Sequence, residues 1–160
     1  MTIDYALLTR QLEGLLEDES DLLANSANLV GLLFAEIPHI NWLGIYVLRG
    51  NELVLGPFQG KPACVRIPLG QGVCGTAAQR MESILVEDVH EFDGHISCDP
   101  ASVSEVVVPL LSAGKVIGVL DVDSPQQGRF TADDQRGLEL LCERFVQLLE
   151  NRHTDLKEFI

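Results

Sequence analysis

The sequence has few positive charges and no long apolar run. Its 160 residues include 11 lysines and arginines against 24 aspartates and glutamates, so the formal net charge is −13 at pH 7. A surface of this sign repels phosphate backbones and anionic lipid head groups, so we expect no nucleic-acid partner and no membrane partner. The longest apolar stretch, residues 29–35, is far shorter than the about 20 residues of a spanning helix. Residues 1–5 lack the basic and apolar regions of a signal peptide, and we therefore expect a cytoplasmic location.

Paired cysteine motifs, internal repeats and low-complexity segments are also missing. The four cysteines, Cys64, Cys74, Cys98 and Cys142, form no CxxC pair, which argues against a zinc ribbon and a thioredoxin-type motif. In the cytosol stable disulfides are rare, and cysteines are usually buried, metal-bound or redox-active. The length suits one domain and the hydrophobic fraction of 46% suffices for a core. We therefore expect residues 1–160 to form a single domain.

Apolar periodicity predicts an α+β arrangement. Helical spacing over residues 3–16 and 22–37 predicts two N-terminal helices, with Ser20 as the N-cap of the second, and Thr131 is expected to cap a C-terminal helix. A short helix is predicted at 72–81, and loops are predicted at 56–62 and 87–102. Strands are predicted at 42–48, 52–55, 63–69, 84–86, 104–111 and 115–122, with 63–69 at an edge of the sheet because it contains Pro68. Helices packed on a largely antiparallel sheet follow from this order.

The loop at 87–102 carries the first candidate for chemistry. Cys98 lies three residues after His95, in a segment where a thiolate could be approached, so it is either a reactive thiol or a packed one. His90, His95, Cys98 and Asp99 have the spacing of no common metal site, and we predict no metal. Cys142 lies on the apolar stripe of the last helix and is interpreted as a core residue.

Two further patterns concern ligands. Residues 70–75 match GxGxxG, but only about eight residues separate this segment from the next strand, too few for the crossover helix of a dinucleotide fold. A glycine-rich turn against the sheet fits better. Glu105, Asp121 and Asp123 are acids in or beside the predicted hairpin. They form either a solvated sheet edge or a pocket for a cationic group, and the sequence pattern leaves both open.

Several motifs, taken in order, resemble those of one family. The hairpin at 106–111 and 115–124, and the segment 70–75 followed by 84–89, resemble the core of GAF domains. Within that fold the chain is similar, over about residues 5–150, to free methionine-(R)-sulfoxide reductases. The segments that carry this resemblance are WLGIY at 42–46, LVLGPFQGK at 53–61, GVCG at 72–75, GHISCD at 94–99 and SEVVVP at 104–109.

The resemblance implies an architecture and an activity. It implies a six-stranded, largely antiparallel sheet flanked by N- and C-terminal helices, usually in a homodimer. It also implies reduction of free methionine sulfoxide by Cys98 as nucleophile, with Cys64 as the usual resolving thiol and Cys74 as the alternative or auxiliary one. A thioredoxin-type protein would then reduce the disulfide, and no cofactor is expected. The residues that match the substrate pocket are Trp42, Tyr46, Glu105, Asp121 and Asp123.

The chemistry of this reaction assigns further roles. A carboxylic acid with a raised pKa can protonate the sulfoxide oxygen while the thiolate attacks sulfur, and Glu105 is the candidate, with Asp123 as a second. Cys98 becomes a sulfenic acid, which a second thiol converts to a disulfide. Two alternatives are a GAF domain that binds a small molecule without turnover, and a redox sensor in which oxidation of Cys98 alters a partner interface.

Overall fold

The computed structural model describes residues 2–152 and 155–156, which contain four α-helices, six strands and one short 3-10 helix. The helices are α1 (Tyr5–Leu15), α2 (Leu22–Glu36), α3 (Gly72–Arg80) and α4 (Ala132–Asn151). The strands are β1 (Trp42–Arg49), β2 (Glu52–Gln59), β3 (Arg66–Pro68), β4 (Ile84–Val86), β5 (Ser104–Ser112) and β6 (Lys115–Ser124), and the 3-10 helix is Val89–Glu91. None of the helices in these ranges has the length and apolar character needed to cross a membrane.

One antiparallel sheet connects all six strands in the order β3-β2-β1-β6-β5-β4. The predicted α+β fold with a largely antiparallel six-stranded sheet is therefore confirmed. Strand β3 lies at one edge, as the proline in it predicted, because Pro68 has no N–H to donate to a second neighbour. Strands β1 and β6 are the central pair, so each of them has a neighbouring strand on both sides.

The two faces of the sheet are covered differently. Helices α2 and α4 pack on one face and α1 packs against these two helices, and alternate strand residues such as Leu43, Ile45 and Leu120 join the larger apolar core on this side. Helix α3 covers the other face, where the intervening residues form a second core. This alternation follows from the two-residue repeat of a strand. The second face is the one that matters for chemistry, because only a short helix and the 87–102 loop cover it.

The turn before α3 explains the GxGxxG pattern. Gly72 begins the helix with φ +63°, a conformation that L side chains rarely adopt. A Cβ at Gly75 would overlap the carbonyl oxygen of Pro68, so only glycine fits at this position. The glycines therefore serve a tight turn and close packing of α3 on β3, as predicted, and not a dinucleotide.

Two local predictions are wrong. Asp21, and not Ser20, is the N-cap of α2, with its carboxylate accepting a 2.8 Å hydrogen bond from the N–H of Ala24. Residues 56–59 belong to β2 and are not a loop. Here β2 pairs with β1 through a register shift, while β3 pairs only with the segment 52–54, so Pro57 lies where the strand has one neighbour. Thr131 does cap α4, in a reciprocal capping box with Asp134.

Candidate active site

Cross-strand register brings the acids together on the α3 face of the sheet. Asp123 on β6 lies directly opposite Trp42 on β1 and opposite Glu105 on β5. Asp121 lies two residues away on the same face, opposite Gly44. Because β6 is central, these acids are enclosed, and the interpretation of Asp121 and Asp123 as a solvated edge is wrong. Asp121 is only 6% exposed.

A cavity opens between these acids, α3 and the 87–102 loop. Seven of the eight predicted site residues line it, and the eighth, Cys64, is bonded to one of them. The lining includes two aromatic rings, two cysteines, two buried acids and one partly buried acid, namely Trp42, Tyr46, Cys74, Cys98, Glu105, Asp121 and Asp123. The cavity is also lined by residues that sequence reasoning did not select, namely Ala63, Ile67, Gly72, Val73, His95, Ile96, Asp99 and Ser102. No lysine or arginine is among these lining residues.

Two aromatic side chains of β1 form one wall. The Trp42 ring stacks on Phe58, with 5.5 Å between centroids, and on Tyr46 at 5.9 Å. The Nε1–H of Trp42 donates to the carbonyl of Lys61 at 3.0 Å, and the Tyr46 hydroxyl donates to the carbonyl of Cys64 at 2.8 Å. The wall therefore also fixes the backbone of the segment that carries Cys64. Burial, followed by the nearby acids, raises the pKa of the Tyr46 phenol, so it remains a hydrogen-bond donor.

Cys64 and Cys98 form a disulfide at the mouth of the cavity, the pairing that the resemblance implied. Both residues are half-buried, and 34 positions in sequence separate them. Asn41 holds the Cys98 side, because its Nδ2 donates to Asp99 Oδ2 at 3.3 Å and to Ser102 Oγ at 3.1 Å. Cys64 and Cys98 thus come from two different loops. Side chains of β1 hold the loop with Cys64, and Asn41, the residue before β1, holds the loop with Cys98.

Burial raises the pKa of every acid in the group. Glu105 is affected first by burial and then by Asp121 and Asp123, and its pKa lies well above the usual range. Asp123 behaves in the same way, with burial followed by Asp121 and Asp99 as causes. The pKa of Asp121 rises to about 6, with burial offset by hydrogen bonds from Glu105 and Cys74. These shifts favour the protonated form of Glu105 and Asp123, whereas Asp121, with a pKa of about 6, is mostly ionised at neutral pH.

The remaining two cysteines are buried in different surroundings. The Cys74 thiol is 3.8 Å from Glu105 Oε1, and burial together with Asp121, Glu105 and Asp123 raises its pKa well above normal. Cys142 is packed in the helix-side core, as its apolar stripe predicted. Burial also raises the pKa of the Cys142 thiol. Neither thiol is ionised to a useful extent at neutral pH, so Cys98 and Cys64 are the accessible sulfurs.

One group of residues has the spacing of a metal site. Single ligand atoms of Cys74, Glu105 and Asp121 lie within 4.8 Å of one another, and among the described residues no other group of histidines, cysteines and acids does so. This group is different from His90, His95, Cys98 and Asp99, the residues that sequence reasoning considered and rejected as metal ligands. Cys74, Glu105 and Asp121 all line the cavity, so a cation and the ammonium of an amino acid would compete for the same carboxylates.

Sequence reasoning considered Asp99 and His95 only as metal ligands and did not select them as site residues. Asp99 lines the cavity, and its Oδ1 accepts from the Ala101 N–H at 2.9 Å, which shapes the turn after Cys98. His95 also lines the cavity, and burial lowers the pKa of its imidazole, so the ring is neutral at neutral pH. The available signal was their position beside Cys98 in a long aperiodic loop, where residues at a site are concentrated.

Comparisons with known proteins place the chain in a family. The GAF domain model matches residues 5–149. The free methionine-R-sulfoxide reductase of Escherichia coli (strain K12) is 51% identical over 155 residues, covering 97% of this chain and 93% of that protein.

Two solved structures agree in fold and in sequence. The X-ray structure of free methionine-R-sulfoxide reductase from Neisseria meningitidis in complex with its substrate superposes with a TM-score of 0.89 at 40% identity, covering 93% of this chain and 90% of that one. The reduced form of fRMsr of Staphylococcus aureus gives a TM-score of 0.89 at 47% identity, covering 92% and 96%. The chain belongs to the GAF-domain family and, within it, to the free methionine-R-sulfoxide reductases.

Proposed function

We propose that this protein reduces free L-methionine-(R)-S-oxide to L-methionine. The observation that carries the proposal is one cavity that combines Cys98, joined to Cys64 in a disulfide at its mouth, with two carboxylic acids whose pKa burial raises, Glu105 and Asp123. A sulfoxide needs a nucleophile at sulfur and a proton at oxygen in the same step, and a cavity of this composition supplies both. The acting unit is the whole chain, residues 1–160, as one domain.

The cavity binds a free amino acid through its charge. Asp121 carries the negative charge at neutral pH, and its Oδ1 is buried without a hydrogen-bond partner among the described residues. An ammonium group placed there would donate to that oxygen and compensate its charge, which burial otherwise makes costly. A methionine sulfoxide inside a peptide has no free ammonium to donate to this carboxylate.

The reducing step balances without an external oxidant. The Cys98 thiolate attacks the sulfoxide sulfur while Glu105 protonates the oxygen, with Asp123 as a second donor. The S–O bond then breaks as the oxygen transfers to Cys98, which gives methionine and a Cys98 sulfenic acid. The proton lost from the Cys98 thiol restores the acid. The methionine sulfur is reduced by two electrons, and the Cys98 sulfur is oxidised by two.

The second half of the cycle regenerates the thiol. The Cys64 thiolate attacks the Cys98 sulfenic acid, water leaves, and the Cys64–Cys98 disulfide forms, with Cys74 as an auxiliary thiol. A thioredoxin-type dithiol protein reduces this disulfide in two exchange steps. Such a cycle requires a compartment in which dithiol proteins are kept reduced, which supports a cytoplasmic location.

The experiment is methionine release from the R and S epimers of free methionine sulfoxide, with dithiothreitol as reductant, by the wild type and by Cys98→Ser. Turnover of the R epimer alone, lost in Cys98→Ser, is the expected result. No turnover of either epimer by the folded, reduced protein would contradict the proposal, and a binding module or a redox sensor would take its place.

We further propose that the chain forms a homodimer through its helical face. Leu7 and Leu15 on α1 and Leu140 on α4 are exposed on two helices that pack side by side. Large apolar side chains that are exposed on neighbouring helices support association through this face. Light scattering after size exclusion should give twice the chain mass of 17.5 kDa, and the monomer mass at micromolar concentration would contradict this.

A further inference from the structure

The disulfide at the mouth of the cavity has two chemically different sides. The segment 60–66, which carries Cys64, contains Lys61 and Arg66 and no acidic residue. The loop 87–102, which carries Cys98, contains five acids and no lysine or arginine. An attacking thiolate is an anion, so its approach is favoured on the Cys64 side and opposed on the Cys98 side.

The Cys64 side also has an apolar contact point. Val65 is 60% exposed, and it is the only large apolar side chain so exposed in the described parts of the two segments that carry the disulfide. The other exposed large apolar residues lie on α1, α2 and α4, at the end of α3 and on β5. An apolar side chain next to a reactive sulfur offers a partner protein desolvated contact area at the point of exchange.

This surface is held rigidly by the cavity wall. Trp42 and Tyr46 bond the carbonyls of Lys61 and Cys64, and the N–H of Leu55 donates to the carbonyl of Val65 at 2.9 Å. These hydrogen bonds hold the backbone at Lys61, Cys64 and Val65, while the Val65 side chain is exposed to solvent. A partner docking here meets a preformed surface and loses little free energy to loop ordering.

We propose that the Cys64 rim, formed by the exposed residues Lys61, Pro62, Val65 and Arg66, is the docking site for a small dithiol protein that attacks Cys64 and not Cys98. Arg66 forms an ion pair with Glu52, which offsets its charge, so Lys61 contributes most of the local positive charge. The identity of this partner as the reductant rests on the proposed function. The docking geometry rests on the disulfide alone.

The exchange has a defined direction. The partner thiolate bonds to the Cys64 sulfur, the Cys64–Cys98 bond breaks, and the electron pair leaves with Cys98, the sulfur that the next catalytic cycle needs as a thiolate. The second thiolate of the partner then attacks its own mixed disulfide and releases Cys64. The partner dithiol is oxidised to a disulfide by two electrons, and the enzyme disulfide is reduced by two.

The test uses the oxidised protein and needs no sulfoxide. Reduction of the Cys64–Cys98 disulfide is followed with thioredoxin, recycled by its NADPH-dependent reductase, and separately with dithiothreitol. The variants are Val65→Ser, Lys61→Glu and, as a matched control, Leu111→Ser, which alters a 42% exposed leucine near the end of β5. A thioredoxin that retains only its attacking cysteine traps the mixed disulfide for peptide mapping.

We expect Val65→Ser to lower the second-order rate constant with thioredoxin about fivefold and Lys61→Glu to lower it about threefold. Val65→Ser and Leu111→Ser should keep the wild-type rate with dithiothreitol, because neither changes the charge near the disulfide, and Leu111→Ser should also keep it with thioredoxin. The trapped bond should map to Cys64. Equal rates for Val65→Ser and wild type with thioredoxin, equal losses with both reductants, or a trapped bond at Cys98 would overturn the proposal. Failure of the proposed function would show separately, as absent methionine release.

Discussion

Ionisation of the buried Asp121 carboxyl lowers the free energy of unfolding, and this effect can be measured. Its pKa is about 6 in the folded protein, against an ordinary value of 3.8. The folded state therefore binds this proton more tightly than the unfolded chain does, and stability is lost as the pH rises from about 4 to about 6. An empty cavity at neutral pH is thus less stable than one with a neutral side chain at this position.

Asp121→Asn should accordingly raise the free energy of unfolding at pH 7.5 by about 1–3 kcal/mol and leave it nearly unchanged at pH 4. Urea unfolding at the two pH values measures this difference. Asp93→Asn, an exposed acid in the 87–102 loop, is the control and should have little effect at either pH. A variant less stable than wild type at pH 7.5 would mean that the carboxylate has a compensating partner. We expect the same substitution to weaken binding of the free amino acid.

The two candidate resolving thiols can also be separated by single substitutions. Cys64 is bonded to Cys98, whereas Cys74 is buried and has a raised pKa, so its thiolate is scarce. Cys64→Ser should release about one methionine per active site and then stop, because the sulfenic acid has no partner. Quantified methionine and trapping of the sulfenic acid with dimedone measure this. Thioredoxin-dependent turnover that persists in Cys64→Ser would assign the resolving role to Cys74.

At the scale of an element, strand β1 shapes the cavity through a glycine. A Cβ at Gly44 would lie 2.6 Å from the Cβ of Phe58 and 2.9 Å from Cζ3 of Trp42. The missing side chain is what allows the Trp42 ring to lie flat against its own strand and to stack on Phe58. The aromatic wall therefore depends on a residue that itself carries no chemistry.

Gly44→Ala should displace the Trp42 ring, lower the free energy of unfolding by about 1–3 kcal/mol and raise KM for the sulfoxide. Thermal unfolding and steady-state kinetics measure the two effects. Gly31→Ala in α2 is the matched control, because nothing lies within 4 Å of its added Cβ, and it should stabilise the helix by about 0.5–1 kcal/mol. Unchanged KM in Gly44→Ala would show that the ring does not contact the substrate.

The sequence predicted most elements, and its errors have local causes. Apolar periodicity and β-branched runs located all four helices and six strands. The cap of α2 was misplaced because Ser20 and Asp21 are equally good caps, and the choice depends on where the chain turns. The end of β2 was missed because Gly56 and Pro57 resemble a loop, while strand pairing with β1 overrides that preference.

The site was less predictable from pattern than the fold. Asp121 and Asp123 could be placed on one strand face, but whether that face was solvated depended on β6 being central, which is a property of the whole sheet. The cysteine pairing joins loops 34 residues apart and followed from the resemblance only. The hydrogen bonds from Asn41 to Asp99 and Ser102 depend on tertiary contact, so no spacing in the sequence announces them.

At the scale of the whole molecule, the disulfide is a covalent link between the two segments at the cavity mouth. The segment 60–65 leads from β2 to β3, and the loop 87–102 leads from β4 to β5. Hydrogen bonds from Trp42, Tyr46 and Asn41 also hold these segments, so the disulfide adds to contacts that do not depend on it. The oxidised state is the more stable of the two, since a cross-link removes conformational freedom from the unfolded chain.

We expect the oxidised protein to be more stable than the reduced protein by about 2–4 kcal/mol, for a cross-link that spans 34 residues. Chemical unfolding with and without reductant measures the difference, and hydrogen exchange locates it. Faster exchange on reduction should be confined to the segments 60–65 and 87–102, because the sheet and the helix-side core do not depend on the bond. Cys64→Ser is the control and should be insensitive to reductant. A loss of protection spread over β1 and β6 would mean that the disulfide supports the central sheet and not only the two segments that it joins.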